Sequence, residues 1–402
     1  MLLNRSLADE IMEREGLAAI VAVVPNNVYY LSDYESDFLY DVPWVACAIL
    51  PRDHQIEPCL IVTEIEAAVL VERPSWMPDV RMYYFGIYGG ILKVHTFSND
   101  CPVEDPEDAA IAALVHRLEE RPYAGVMQAA SAALKEKGLT TGAIGFDDVR
   151  FSAALGSTLE SVTAVDATNL LLEVRMIKTP DEIRVLRDAA QRNAVAIRTA
   201  VAAIHDGATW EDVHRAYETS VSAQGARVFA TYNGAGRRSA GAGRLKKNYP
   251  IQRGDQVCFD AMLKWRRYMG DAQRTAVLGE PSAKLLRYWR AYLVGIEVGY
   301  GGLRPGVGTG DLRARTIASV RKAGLPSFEL AFTHGIGLDH IEVPFIAGGQ
   351  LGDFTIRPNM VLNFDMELHE IGWGGLFFEE SVLITHDSAE RLYDLPRELL
   401  VV

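Results

Sequence analysis

The rhythm of apolar and polar positions changes partway along the chain, near Arg175. Before that point short apolar runs alternate with helical stretches. Residues 3–15 have helical spacing and stop at Gly16, and Leu17–Val24 is an unbroken apolar run closed by Pro25-Asn26-Asn27, which predicts a strand and then a turn. Val45–Leu50 and Leu60–Val62 predict further strands. Ala109–Lys137 is alanine-rich and predicts a helix in two pieces ending at Gly138, before a strand from Ala143 to Phe146. These elements predict a mixed α/β domain over residues 1–168.

A second domain, residues 169–402, is predicted to follow. Thr179-Pro180-Asp181-Glu182 is a strong helix start: Thr179 can cap, Pro180 suits the first turn, and Glu182 completes a capping box. Ile183, Leu186, Ala190, Ala194, Ile197 and Val201 follow at helical spacing. Two similar starts come later, Gly207-Ala-Thr-Trp-Glu-Asp212-Val213 and Gly306-Val-Gly-Thr-Gly-Asp311-Leu312, each leading to a helix that ends near a glycine, Gly225 or Gly324. A match this short arises easily by chance. If it records a duplication, the domain is pseudo-symmetric with its site at the junction of the halves.

Composition narrows the function. With 402 residues and 49% hydrophobic content the chain can bury two cores. A net charge of −13 argues against a nucleic-acid partner held through phosphates. No apolar run approaches the roughly 18 residues of a membrane span, and the start lacks a basic segment followed by an apolar one. Cys47, Cys59, Cys101 and Cys258 form no CxxC pair and read as buried thiols, so the protein is expected in the cytoplasm.

The chemistry lies in acids embedded in apolar strands. Asp260 sits centrally in Asp255-Gln-Val-Cys-Phe-Asp260-Ala-Met-Leu, and Asp271 follows in Gly270-Asp271-Ala-Gln-Arg-Thr-Ala-Val-Leu278, with Lys264–Tyr268 as the turn between them. As a hairpin these strands would aim both acids at one pocket. A carboxylate in such a strand is costly unless it is paired or metal-bound; the plainer alternative is an ion pair with Arg274. Next, two histidines and two acids fall within nine residues in His334-Gly-Ile-Gly-Leu-Asp339-His340-Ile-Glu342. The glycines there permit a tight turn or close backbone approach. Then come Asp365-Met-Glu367-Leu-His369, whose two acids share a strand face, and Glu379-Glu380 in a further apolar strand. Four carboxylates and an imidazole in apolar surroundings suit two divalent ions: manganese, iron, cobalt or zinc. Two such ions about 3.5–4 Å apart can share a water and lower its pKa.

This ordered set resembles the pita-bread metallohydrolases: creatinase, prolidase and aminopeptidase P. Asp260 and Asp271 match the family's Asp-x10-Asp pair, with Asp-x-x-Arg-Thr at 271–275. His334-Gly-Ile-Gly-Leu matches its His-Gly-x-Gly-Leu turn. Asp365 falls where a ligand Glu is usual, and Glu379 where the final bridging Glu is usual. Arg175–Ile183 looks like the opening of the catalytic half of creatinase and prolidase, and Asn27-Val-Tyr-Tyr-Leu31 like their N-terminal domain. The resemblance implies an α/β (α+β) protein with an N-terminal creatinase-like mixed-sheet domain before a pseudo-symmetric pita-bread catalytic domain. It also implies a homodimer.

Three departures from the pattern stand out. The usual ligand Glu is Asp365, one methylene shorter, although Glu367 could serve by a strand shift. The stretch Ser239–Lys247 carries no histidine where the peptidases keep one. His340 sits six residues after His334 rather than seven, with Ile341 in the usual place.

By this resemblance Asp260, Asp271, His334, Asp365 and Glu379 bind two metals, manganese above all, with Asp271 and Glu379 bridging. A hydroxide between the metals would attack the carbonyl. His340, with Glu342 beside it, would act on the transition state, stabilising the oxyanion or protonating the leaving nitrogen. The reaction expected is metal-dependent hydrolysis of a C–N bond in a small peptide-like substrate, most like that of an Xaa-Pro aminopeptidase or prolidase. The alternative is a small charged metabolite, handled as by creatinase or a dimethylsulfoniopropionate lyase. A catalytically dead binding module is a third reading, opposed by the retention of every ligand position. The basic stretch Arg237–Lys247 reads either as a solvated loop or as a flap that carries Arg244 to an anionic group of the substrate.

Overall fold

In the computed structural model the residues described are 1–86, 103–232, 234–241, 248–344 and 353–402. The chain divides into two compact units, Met1–Arg175 and Met176–Val402.

The first unit is built on a six-stranded mixed sheet. Its strands are β1 (Leu17–Ala22), β2 (Cys47–Pro51), β3 (Cys59–Thr63), β4 (Asp79–Tyr83), β5 (Gly142–Phe146) and β6 (Val162–Asp166), in the order β4-β3-β2-β1-β5-β6. Unbroken apolar runs such as β1 suit the centre of the sheet, covered on both faces. The alanine-rich stretch does form two helices, Pro106–Glu120 and Val126–Glu136; Pro122 falls in the interval and cannot continue the first. The expected turn at Pro25-Asn26-Asn27 is instead the start of a helix, Pro25–Ser32. Proline fits a first helical turn as well as it fits a turn, because its fixed φ suits both. Cys47, Cys59 and Cys258 are buried free thiols, and Cys101 lies outside the described residues.

The second unit runs helix, helix, strand, hairpin, and then repeats that order. The first pass is Pro180–Ala202, Trp210–Ala223, β7 (Arg227–Tyr232) and the hairpin β8 (Gln256–Trp265) and β9 (Tyr268–Val277). The second is Ala283–Gly302, Thr309–Lys322, β10 (Leu330–Gly335) and the hairpin β11 (Val361–Glu370) and β12 (Gly374–Ile384). With β13 (Ala389–Arg391) and β14 (Leu400–Val401), the strands form two four-stranded sheets, β14-β9-β8-β7 and β10-β11-β12-β13. The glycine-marked repeat in the sequence thus coincides with the second helix of each pass. Those helices end where Gly225 and Gly324 take positive φ, 72° and 112°. Thr179 caps the first helix with the full capping box.

The two sheets are tied where β9 meets β12. Thr275 Oγ1 donates to the Phe377 carbonyl at 3.1 Å and accepts from its N–H at 2.9 Å. Ser381 Oγ lies 3.0 Å from the Asp271 carbonyl. Gly270 allows the helix Pro180–Ala202 to lie against β9, because a Cβ there would stand 2.4 Å from the Ala189 carbonyl oxygen. Among the described residues no helix is long and apolar enough to cross a membrane.

Candidate metal centre

The hairpins bring the embedded acids together. In the β8–β9 register Asp260 lies opposite Gln273 and Asp271 opposite Met262, so the two acids sit diagonally on one face. The turn between them is tight, with Arg266 and Arg267 both in the left-handed region. Arg274 points to the other face and takes Glu380 at 3.1 Å, so the plain pairing of Arg274 with Asp260 does not occur. In β11–β12 Asp365 and Glu379 are direct partners. His334 enters from β10, with its Nε2 3.5 Å from Asp365 Oδ2 and 3.3 Å from Glu379 Oε1.

Three overlapping groups result: Asp271, His334 and His340; His334, Asp365 and Glu379; and Asp260, Asp271 and Glu379. Within each group the ligand-type atoms lie within 4.8 Å of one another. All five expected ligand positions therefore fall in one constellation, and His340 joins them through Nε2, 2.9 Å from Asp271 Oδ2. Glu367 is held by Gln273 Nε2 at 2.9 Å and His369 Nε2 at 3.0 Å and is not in the groups. Nor is Glu342, whose carboxylate meets Lys178 Nζ at 2.6 Å. Arg244 lies outside the described residues.

The electrostatics call for cations. Asp271, Asp365 and Glu379 are all about 1% exposed or less. Burial, and for Asp271 and Asp365 the charge of Glu379, raises all three carboxyls above their usual range, Asp365 well above it. His334 is pushed down to about 4 by burial, which keeps it neutral. Its Nδ1 lies 3.0 Å from the Gly335 carbonyl, which assigns the proton to Nδ1 and leaves the Nε2 lone pair facing two carboxylates. Asp271 Oδ1, Asp365 Oδ2 and Glu379 Oε2 are buried with no hydrogen-bond partner among the described residues. An unprotonated nitrogen and three orphaned carboxylate oxygens in one place fit divalent ions and little else.

Two supporting residues carried no signal in the sequence. Asn363 Nδ2 donates to Glu379 Oε1 at 2.6 Å and to Asp271 Oδ2 at 3.2 Å, and its Oδ1 accepts from Ser381 Oγ at 2.6 Å. It reaches acids of both sheets. Gln273 Nε2 reaches Glu367, and more weakly Asp365 at 3.4 Å. Both were visible only as polar residues inside strands that also carry acids. The glycines of the His334 turn serve close approach: a Cβ on Gly335 would stand 2.3 Å from the Val343 carbonyl oxygen.

A duplicated helix-and-hairpin unit with a buried carboxylate–imidazole centre at its junction defines a metal-dependent hydrolase of the pita-bread fold. The model of metallopeptidase family M24 matches residues 184–386, and the chain belongs to that family. Among curated proteins it is similar to an Xaa-Pro dipeptidase of Pyrococcus furiosus, with 27% identity over 235 residues, 58% of this chain and 67% of that protein. It is also similar to a putative dipeptidase of Bacillus subtilis, with 25% identity over 283 residues, 67% of this chain and 76% of that protein. The fold is that of an Xaa-Pro dipeptidase from Bacillus anthracis, with a TM-score of 0.77 at 19% identity and 99% of each chain covered. A prolidase from Pyrococcus horikoshii OT3 gives a TM-score of 0.73 at 20% identity, covering 98% of this chain and 99% of that one.

Proposed function

We propose that the protein is a dinuclear metallopeptidase that hydrolyses short peptides with proline in the second position. The observation that carries this reading is the constellation of overlapping ligand groups sharing Asp271, His334 and Glu379, set in a family M24 chain whose relatives include Xaa-Pro dipeptidases.

In this reading Asp260, Asp271, His334, Asp365 and Glu379 would hold two divalent ions, manganese by preference. Ions bound there supply Lewis acidity to a carbonyl and acidify a water. The chain's own residues do the rest. Asn363 fixes the orientation of Asp271 and Glu379. His334 stays neutral and aims Nε2 inward, because Gly335 takes its other N–H. His340 is the proton carrier: burial works against its charged form, but the bond to Asp271 and the charge of that carboxylate raise its affinity for a proton. About a quarter of its side chain is exposed (24%), so the imidazole can meet both substrate and solvent. Arg244 is assigned on sequence alone to the substrate's carboxylate.

We also read the protein as a cytoplasmic homodimer, on the strength of the resemblance and the free thiols. The test of function is hydrolysis of Xaa-Pro dipeptides by manganese-loaded protein, compared with Xaa-Ala dipeptides and small amides. Preferential release of proline, lost together with the metal in His334→Ala, is expected. Fully metallated protein that cleaves none of the peptides would overturn the reading.

A further inference from the structure

The loop that carries His340 is tied down from behind. It leaves β10 at His334 and returns at Glu342, where Gly335 and Glu342 exchange both backbone hydrogen bonds, at 3.1 and 2.8 Å. Six residues, 336–341, bulge out from that clasp. The Glu342 side chain folds back beneath them and its Oε1 accepts from the Asp339 N–H at 3.2 Å. A Cβ on Gly337 would stand only 2.5 Å from Glu342 Oε2, so the loop is wrapped closely around this one carboxylate. On the far side the Met269 N–H of β9 donates to the Gly337 carbonyl at 2.8 Å.

The other oxygen of Glu342 meets Lys178. Nζ lies 2.6 Å from Oε2, and both side chains are 1% exposed. Lys178 is itself fixed, because its N–H donates to the Asn359 carbonyl at 2.8 Å and the next residue is the N-cap of the helix Pro180–Ala202. Glu182, also buried, lies within electrostatic reach of the same ammonium and accepts from the Thr179 N–H at 2.9 Å and from the Tyr268 hydroxyl at 3.1 Å. A desolvated ion pair is a weak device for stability, since removing two ions from water offsets much of their attraction. What this pair holds in place is more specific. A rigid helix start is bonded to the carboxylate around which the histidine loop is wound.

We propose that Lys178 and Glu342 are positioning residues, which set the backbone at Asp339 and so hold the His340 imidazole against Asp271. This rests on the assignment of His340 to the reaction. Glu342 then takes no part in proton transfer, because one oxygen serves Lys178 and the other serves the loop.

The test uses the metal-loaded full-length protein with three changes: Lys178→Met, Glu342→Gln, and the double variant Lys178→Met/Glu342→Leu. A single change strands a buried charge and can destabilise the whole unit; the double variant removes both charges and avoids that. Two readouts are taken. Amide exchange of Asp339–Glu342 should accelerate at least about tenfold in the double variant, while that of β11 stays unchanged. The kcat on an Xaa-Pro dipeptide should fall by up to about 10²-fold, with KM and metal content held. A merely stabilising pair would lower the melting temperature and move neither readout. Native exchange in the loop of the folded double variant would overturn the proposal. The exchange measurement needs no substrate, so a failure of the peptidase reading is seen separately, as absence of turnover in the unaltered protein.

Discussion

Asp365 and Glu379 face each other directly across the β11–β12 ladder, and the Nε2 of His334 reaches both, at 3.5 and 3.3 Å. Two buried carboxylates in adjacent register and a nitrogen with no proton to give form an arrangement that repels itself. It becomes favourable when positive charge lies among the three.

The metal-free protein should therefore be pH-sensitive in a way the loaded protein is not. Burial and the charge of Glu379 push Asp271 up to about 7, from a usual value near 4. A carboxyl whose folded pKa is raised contributes stability that is complete below about pH 4 and is lost as the pH rises through about 7. Chelator-treated protein should lose on the order of 1–3 kcal/mol across that window. Asp271→Asn should remove part of this slope, with Asp365 and Glu379, whose carboxyls are also raised, accounting for the rest, and added metal should restore stability at pH 7.5. Denaturant melts at pH 5 and 7.5, with and without metal, read this directly. A flat profile for the metal-free protein would contradict the charge-repulsion account.

His340 is predicted to act on chemistry rather than on metal retention. Its imidazole touches Asp271 but is the more exposed member of the group. His340→Ala should lower kcat by about 10²-fold or more while elemental analysis finds the metal unchanged. Loss of metal in that variant would make His340 a ligand instead.

Asn363 is predicted to govern metal affinity. It donates to Glu379 and to Asp271, which stand on different hairpins. Asn363→Leu keeps the approximate volume and removes both bonds. Metal affinity measured by calorimetry should fall about 10–100-fold with secondary structure intact. Unchanged affinity would mean that the two carboxylates are oriented without it.

Arg244 tests the substrate's charge. If its guanidinium grips a carboxylate, Arg244→Ala should raise KM at least about tenfold for an Xaa-Pro dipeptide and leave the C-terminal amide of that dipeptide nearly unaffected. Equal effects on both substrates would return the segment to the solvated surface.

The candidate ligand positions were legible because acids inside apolar strands have few plain explanations, and because strand alternation fixes which face each one takes. Asp260, Asp271, Asp365 and Glu379 all obey that rule. Their supports were not legible. Asn363 and Asp271 are 92 residues apart, and Lys178 and Glu342 are 164 apart. A lysine before a helix carries no signal of its own, and Glu342 reads from its place beside His340 as a catalytic acid, until topology sets Lys178 behind it. Asn363 carries no signal in the sequence, since its worth depends on a hairpin from the other half of the repeat. In the first unit, Pro25 misled for a local reason: the same fixed φ begins a turn or a helix, and only the residues that follow decide.

The last prediction separates two adjacent acids. Glu379 and Glu380 are both 1% exposed, but alternation along β12 sends them to opposite faces. Glu379 meets the other carboxylates. Glu380 meets three guanidinium groups: Arg274 Nη2 at 3.1 Å, Arg391 Nε at 2.8 Å and Arg397 Nε at 2.7 Å. Arg274, 1% exposed, also donates to backbone carbonyls, Gln273 and Pro396 each at 2.8 Å. Removing the charge of Glu380 leaves that cluster without its anion, a loss on the order of 3–5 kcal/mol for a buried pair broken on one side. Removing the charge of Glu379 relieves repulsion in the metal-free protein and takes away a proposed metal ligand. Glu380→Gln should therefore melt well below the unaltered protein even after chelation. Glu379→Gln should lose metal and activity yet match or exceed the melting temperature of the chelated unaltered protein. Thermal melts of the two variants with and without metal decide it, and a large destabilisation of chelated Glu379→Gln would show that its carboxylate supports the fold rather than a metal.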